Sequence, residues 1–358
     1  MADIEPTRPR LWLRHETRTT ECRAPLVPAD ARRLIEHGWD LAVEASPQRV
    51  FSDDDYAAVG CSISPAGSWV DTAADTLVLG LKELPRQPTA LRHRHVYFGH
   101  AYKKQPGAAR LLERFEEGGG ALLDLEYLTA DNGRRLAAFG YWAGYVGAAL
   151  ALLWCAGALR TPLRPGSKQA LDAELRGIAS ATHPRVLVIG ALGRSGQGAL
   201  DAVRVAGATA TGWDLAETAR LDRAALLDHD VLVNTVLASG PIEPFVTTAQ
   251  VERPAGRLSV VADVTCDIGA PFNALPIYDA PTSWDRPARQ LRQDPPLAVI
   301  GIDNLPSLLP RESSTAFSAD LTPQLLAFGT GAAPWNRCLQ AYRDACRRAG
   351  ITSGAPHA

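Results

Sequence analysis

The chain has almost no net charge. Lysine and arginine together number 37 against 39 aspartates and glutamates in 358 residues, a formal charge of −2. No broad basic surface is therefore expected to draw in nucleic acid or anionic lipid. Lysine itself is scarce: Lys82, Lys103, Lys104 and Lys168 are the four among the 37 basic residues. Arginine keeps its proton at any ordinary pH, so acid–base work by an amine is confined to those four positions. The six cysteines form no CxxC pair, which leaves no zinc site or disulfide framework to argue for and suits reduced thiols in a cytosol. The amino terminus shows no basic region followed by an apolar stretch, so no secretion signal is expected. No internal repeat is visible.

One long uncharged run, Leu136 to Leu159, is about long enough to cross a bilayer. It is rich in alanine and glycine, includes Gly140-xxx-Gly144, and stands alone in the sequence. Small residues at that spacing let helix backbones approach closely, so the run reads as a buried helix and no membrane partner is expected. These absences leave small-molecule chemistry, and 358 residues with 46% hydrophobic content are enough for two cores of ordinary size, so two domains are expected.

The most informative segment that is present runs from Arg185 to Ala199, an apolar strand entering a glycine turn and then a helix. Gly190, Gly193 and Gly196 are spaced for a tight turn, a close backbone approach to a pyrophosphate, and close helix–strand packing. Leu192, Arg194 and Ser195 fill the turn between them. A second strand ends at Trp213-Asp214, where the Asp214 carboxylate can accept from an adenosine ribose and repel a 2′-phosphate, favouring NAD over NADP. Short apolar stretches at Leu11–Leu13, Leu41–Val43, Thr76–Leu79, Val96–Phe98 and Ala121–Leu123 alternate with helical ones and predict a first α/β domain. Arg160 to Pro184 reads as a connection, and strands at 185–189, 209–213, 230–234 and 258–263 build the nucleotide domain. The expected fold is α/β, with two Rossmann-like domains of parallel strands separated by an active-site cleft and the nucleotide domain inserted into the first. Residues 1–135 plus 320–358 form the substrate domain, and 136–319 form the NAD domain, with 136–159 as a long linking helix.

Two side chains stand out at predicted strand ends. Lys82 follows the strand at 76–81, and His100 follows the strand at 96–98. If those strands are neighbours in one parallel sheet, a lysine and an imidazole meet at its carboxyl edge, a pairing suited to proton transfer near neutral pH. Lys103 would lower the proton affinity of the Lys82 amine, and Glu83 and Glu126 would raise it. Arg14 ends the first strand, and Arg134-Arg135 begins the apolar helix; either guanidinium can grip a carboxylate or serve as a surface ion pair. His93 and His95 lie in a basic stretch that reads as a solvated loop.

These residues resemble the NAD-dependent, lysine-forming saccharopine dehydrogenases. The resemblance runs from about residue 11 to 345 and is carried by Leu11-Trp-Leu-Arg-His-Glu-Thr17, Gly80-Leu-Lys-Glu-Leu-Pro85, His100-Ala-Tyr-Lys103, Asp124-Leu-Glu126, Asn132 to Gly140, the glycine turn, and Ile302 to Glu312. The first part is also similar to alanine dehydrogenase and transhydrogenase. The resemblance implies oxidation of a secondary amine by NAD, followed by hydrolysis of the imine. It implies Lys82 as the base toward the amine and His100 as the group that moves protons during hydrolysis. Glu83 and Glu126 would tune them; Arg14, Lys103 and Arg135 would bind carboxylates; Phe139 would line the pocket; Asp303 would sit near the nicotinamide. Another N6-substituted lysine such as N6-(carboxymethylamino)lysine, an alanine dehydrogenase-like deamination, and an NAD-sensing module are the alternatives. The partner is a small amino acid, and the state a monomer or small homo-oligomer.

Overall fold

The computed structural model describes residues 9–102, 107–179, 183–238, 240–253, 256–269 and 271–351. It divides into two units, 1–138 with 314–358, and 139–313.

In the first unit the chain runs β1 (Arg10–Leu13), α1 (Pro28–Glu36), β2 (Asp40–Glu44), α2 (Asp53–Ala57), β3 (Ser62–Ser64), β4 (Leu77–Leu79), β5 (Arg94–Tyr97), α3 (Ala108–Gly118) and β6 (Ala121–Asp124). The strands form one parallel sheet in the order β3-β2-β1-β4-β5-β6. Strands such as Leu11-Trp12-Leu13 and Leu77-Val78-Leu79 are buried on both faces, which is why they read as unbroken apolar runs rather than alternating ones. The strand order reverses between β1 and β4, the kind of switch point where open α/β sheets hold their ligands.

His93 and His95 depart from the expected solvated loop. His95 lies on β5, and both side chains are buried. The His95 ring meets Trp69 edge-on at 4.9 Å between centroids and packs on Phe115. Burial drives its pKa well below 6.5, so it is a neutral ring of the core.

The second unit begins at α4 (Gly140–Cys155) and continues through α5 (Lys168–Ile178), β7 (Arg185–Ile189), α6 (Arg194–Val205), β8 (Thr209–Trp213), α7 (Leu215–Thr218), α8 (Arg223–Leu227), β9 (Val231–Asn234), α9 (Thr248–Glu252), β10 (Val260–Asp263), β11 (Arg289–Arg292) and β12 (Leu297–Ile300). Its sheet runs β11-β12-β10-β9-β7-β8, parallel except for β11. The expected 160–184 connection contains α5.

Helix α4 is shorter than the expected 136–159. Arg134-Arg135 does not begin it: Ala130 donates to Arg134 O at 2.9 Å, Leu136 donates to Leu128 O at 2.8 Å, and Thr129 bridges Arg135, so these residues form a small hairpin. Every residue from Gly144 to Leu153 is buried, as an all-round apolar helix requires. Of the Gly140-xxx-Gly144 pair, Gly144 meets the α6 backbone closely, whereas a Cβ on Gly140 would meet the Ser195 hydroxyl at 2.9 Å. A Cβ on Gly144 would lie 1.7 Å from Ser195 O, and one on Gly198 would lie 1.9 Å from Tyr141 O, so α4 and α6 touch backbone to backbone. Among the described residues no helix is long and apolar enough to cross a membrane.

Two final helices, α10 (Pro310–Leu326) and α11 (Ala333–Arg348), carry the chain back into the first unit. There α10 presents serines to the α1 region. Ser314 Oγ accepts from Ala24 N at 2.8 Å, while Ser318 Oγ accepts from Val27 N at 3.0 Å and donates to Asp30 at 2.6 Å.

Candidate active site

Lys82 and His100 follow β4 and β5, which are adjacent and parallel with Leu79 opposite Val96. The pairing extends past the strands, since Gly80 N donates to Val96 O and Phe98 N to Leu81 O. Both residues therefore leave the same edge of the sheet, next to the β1–β4 switch point.

The His100 Nδ1 lies 3.5 Å from Glu126 Oε1. Its pKa is raised above 6.5, chiefly by that contact and by the charges of Glu126 and Asp124, against the opposing effects of burial and of the Lys82 ammonium. The buried Asp124 organises this corner. One oxygen accepts from Gly99 N at 3.2 Å and His100 N at 3.1 Å, and the other accepts from Glu126 N at 2.9 Å. Burial lifts the Asp124 carboxyl to about 6. His100 has φ +50°, a left-handed conformation uncommon outside glycine.

Around Lys82 the chain is clamped by groups that follow β1. Glu16 accepts from Leu81 N at 2.6 Å and Lys82 N at 3.0 Å, while the Arg14 guanidinium donates to the Lys82 carbonyl and pairs with Glu16 at 3.3 Å. Arg14 is not the surface ion pair that the sequence left open: its side chain is 1% exposed, lies over the Tyr97 ring and faces the protein interior. Gly80 makes room for it, because a Cβ there would sit 2.3 Å from Arg14 Nε.

Sequence reasoning missed the neighbouring pair Glu21 and Arg23. Both are buried, and Arg23 holds Glu21 through two bonds of 2.7 and 2.6 Å. Burial pushes the Glu21 carboxyl upward, but the charges of Arg23 and Lys82 prevail and hold it below its usual range. The pair thus stands within electrostatic reach of Lys82. Its only signal in the sequence was an acid and a base two positions apart just after the first strand.

The other expected residues are more scattered. Glu83 is exposed and forms a two-bond pair with Arg18 at 2.9 and 2.6 Å. Arg135 is exposed on the 128–136 hairpin. Lys103 lies outside the described residues.

In the second unit, Gly190 leaves β7 with φ +84°. A Cβ on Gly196 would lie 2.1 Å from Gly190 O, so the third glycine is there for close packing, whereas one on Gly193 would meet only Gly190 O at 3.3 Å. Gly193 is the N-cap of α6 and makes no side-chain hydrogen bond there, the glycine-turn-to-helix geometry that suits a pyrophosphate. Asp214 accepts from Leu192 N at 2.9 Å and Leu215 N at 2.9 Å, tying the glycine turn to the tip of β8. Leu192 is 80% exposed beside it. Phe139 is the N-cap residue of α4, and Asp303 is exposed after β12. The cradle fits a dinucleotide.

Comparison with known proteins gives the same picture. Residues 12–146 match the family model "Alanine dehydrogenase/PNT, N-terminal domain", and 216–343 match its C-terminal counterpart. A saccharopine dehydrogenase (NAD(+), L-lysine-forming) of Emericella nidulans is 42% identical over 344 residues, 88% of this chain and 91% of that protein. The Schizosaccharomyces pombe protein of the same name is 40% identical over 358 residues, 93% and 97% of the two chains. The chain belongs to the saccharopine dehydrogenase family. Among solved structures, an L-alanine dehydrogenase superposes with TM-score 0.67 at 16% identity, covering 95% of this chain and 99% of the other. A transhydrogenase from Sinorhizobium meliloti gives 0.63 at 14% identity, covering 89% and 93%. This saccharopine dehydrogenase family member therefore shares its two-unit, parallel-sheet fold with both.

Proposed function

We propose that the protein oxidises the secondary amine of saccharopine with NAD, giving lysine and 2-oxoglutarate. The observation that carries this reading is the pairing of Lys82 with a Glu126-supported His100 on adjacent strand ends, in a chain whose curated relatives at about 40% identity bear that activity in their names. NAD, when bound at the Gly190–Gly196 turn, supplies the hydride acceptor.

Lys82 takes the proton from the substrate nitrogen, leaving a neutral amine whose adjacent carbon gives up hydride and becomes an imine carbon. His100 then moves protons as water adds to that carbon and as the carbinolamine C–N bond breaks, returning a proton to the departing lysine nitrogen. Glu126 favours the imidazolium form needed at that last step. Arg135 and Lys103 bind substrate carboxylates, and Phe139 packs against the substrate. Glu83 acts through Arg18. Asp214 keeps a negative charge where NADP would bring its phosphate, and Asp303 stands by the nicotinamide.

The alternatives have less behind them: the likeness to alanine dehydrogenase at 16% identity is one of fold. All six cysteines are free, which supports a reducing cytosol as the working compartment.

The test is NADH formation from NAD and saccharopine, with alanine and other N6-substituted lysines in parallel. Turnover with saccharopine and its loss in Lys82→Met are expected. Full activity in Lys82→Met refutes the assigned base, and oxidation of another conjugate alone refutes the substrate.

A further inference from the structure

We infer that Arg14, Glu16 and Asp124 are positioning residues that set the main chain beneath the two catalytic side chains, Glu16 with Arg14 for Lys82 and Asp124 for His100. The inference rests on the reading that Lys82 and His100 carry the proton transfers.

The two arrangements share one design. Each catalytic residue lies just beyond the end of its own strand, where sheet pairing no longer holds the backbone. In each case a buried carboxylate from the end of an adjacent strand accepts successive N–H groups of that segment. Glu16, beyond β1, takes Leu81 N and Lys82 N at 2.6 and 3.0 Å. Asp124, ending β6, takes Gly99 N and His100 N at 3.2 and 3.1 Å. Two consecutive N–H groups aimed at one anion form a concavity that fixes φ and ψ on both residues.

Arg14 completes the Lys82 side by donating to its carbonyl, so both polar groups of that peptide segment are held. A guanidinium in this position is incompatible with any side chain at residue 80, where the structure has glycine. On the other side, Asp124 holds His100 at φ +50° and also fixes Glu126 through its N–H, so imidazole and carboxylate are aimed from one anchor. Buried carboxylates are costly to keep, and their orderly use on backbone donors marks them as structural supports of the site.

The experiment compares Arg14→Met, Glu16→Gln and Asp124→Asn with Lys82→Met, measuring kcat, KM for saccharopine, KM for NAD and the pH profile. A displacement near 1 Å at a reacting group lowers the rate by ~100-fold. We expect kcat to fall about 10- to 100-fold, with both KM values within about threefold, and the pH limb of His100 to move in Asp124→Asn but not in Arg14→Met. Gly80→Ala, whose methyl group would lie 2.3 Å from Arg14 Nε, should reproduce the Arg14→Met loss, and thermal melts of every variant separate lost positioning from failure to fold. A rise in KM for saccharopine at unchanged kcat in Arg14→Met would mean that Arg14 binds substrate, and overturns the inference. So does wild-type kcat in Arg14→Met, Glu16→Gln, Asp124→Asn and Gly80→Ala alongside an inactive Lys82→Met. An active Lys82→Met instead refutes the catalytic reading itself.

Discussion

Substituting Gly144 by alanine tests whether backbone contact between α4 and α6 holds the proposed pyrophosphate turn. The added methyl would sit 1.7 Å from Ser195 O, 2.6 Å from Ser195 C and 2.9 Å from Ser195 Cα. All three are backbone atoms, so no side-chain rotation relieves the clash. Real Cβ contacts stay beyond 3.0 Å, and the helices must part by more than an ångström at this point. Alanine has the better helix propensity, worth ~1 kcal/mol, but overpacking a closely fitted core costs about 1–3 kcal/mol and occasionally more. The clash wins, and the melting temperature should fall by roughly 2–4 °C for each kcal/mol lost in a domain of this size. Ser195 is in the first turn of α6, so NAD affinity should fall with stability. The control is Gly177→Ala on α5, where nothing lies within 4 Å of the added methyl; it should stabilise by up to ~1 kcal/mol and leave NAD binding alone. Thermal melts with and without NAD, together with an NAD titration, read both effects. A Gly144→Ala protein with wild-type melting temperature and NAD affinity would falsify the packing argument.

Three further outcomes follow from the same geometry. In Glu126→Gln the pH limb belonging to His100 should move to lower pH, since the carboxylate charge that helps raise its pKa is gone and only a weaker neutral acceptor remains. Because the folded pKa lies above 6.5, the stabilisation from the charged pair is complete below 6.5 and fades as pH rises through the folded value, so wild type and variant should converge in stability on the alkaline side; a difference that grows there contradicts the assignment. Asp214→Ala removes the acceptor for Leu192 N and Leu215 N and should raise KM for NAD about tenfold, as expected for a cap of ~1 kcal/mol plus a loosened turn, while relaxing discrimination against NADP; unchanged preference in steady-state assays would remove Asp214 from the coenzyme site. His95→Phe should keep kcat and the pH profile and match or exceed wild-type stability, since both ring nitrogens are buried without a hydrogen-bond partner among the described residues; a large loss of activity would give that ring a chemical role.

The central strands of both sheets were legible because parallel strands buried on both faces are continuous apolar words, whereas the half-exposed edge strands β3 and β11 were not read; the glycine turn was legible because its spacing answers to steric demands visible in the structure. Helix α10 was not. Its face toward α1 carries Ser314 and Ser318, which hydrogen-bond to backbone groups near residues 24–27, and such buried polar residues interleave with Phe317, Leu321 and Leu325 and mask their apolar stripe. His93 and His95 went astray for the opposite reason: alternating arginines and histidines resemble a solvated stretch, yet the strand buries its histidines while Arg92 and Arg94 remain exposed.

The site shows the same boundary between what sequence order carries and what it omits. Lys82 and His100 could be proposed together from sequence because a strand end is a local property, and the structure puts those ends on adjacent parallel strands. Arg14 had that property too, but its fate is decided by residue 80, where a missing side chain leaves room for its guanidinium. With that space filled, Arg14 would have to turn outward; with it empty, the buried Glu16 and the Lys82 carbonyl offer a charge and an acceptor together. Glu21 and Arg23 compensate each other in the same way, and burial of a two-bond ion pair within reach of Lys82 is a product of tertiary structure alone. The charges that support this chemistry are therefore chosen by which neighbours leave room for them, and Gly80→Ala addresses that choice more directly than removal of any charged residue.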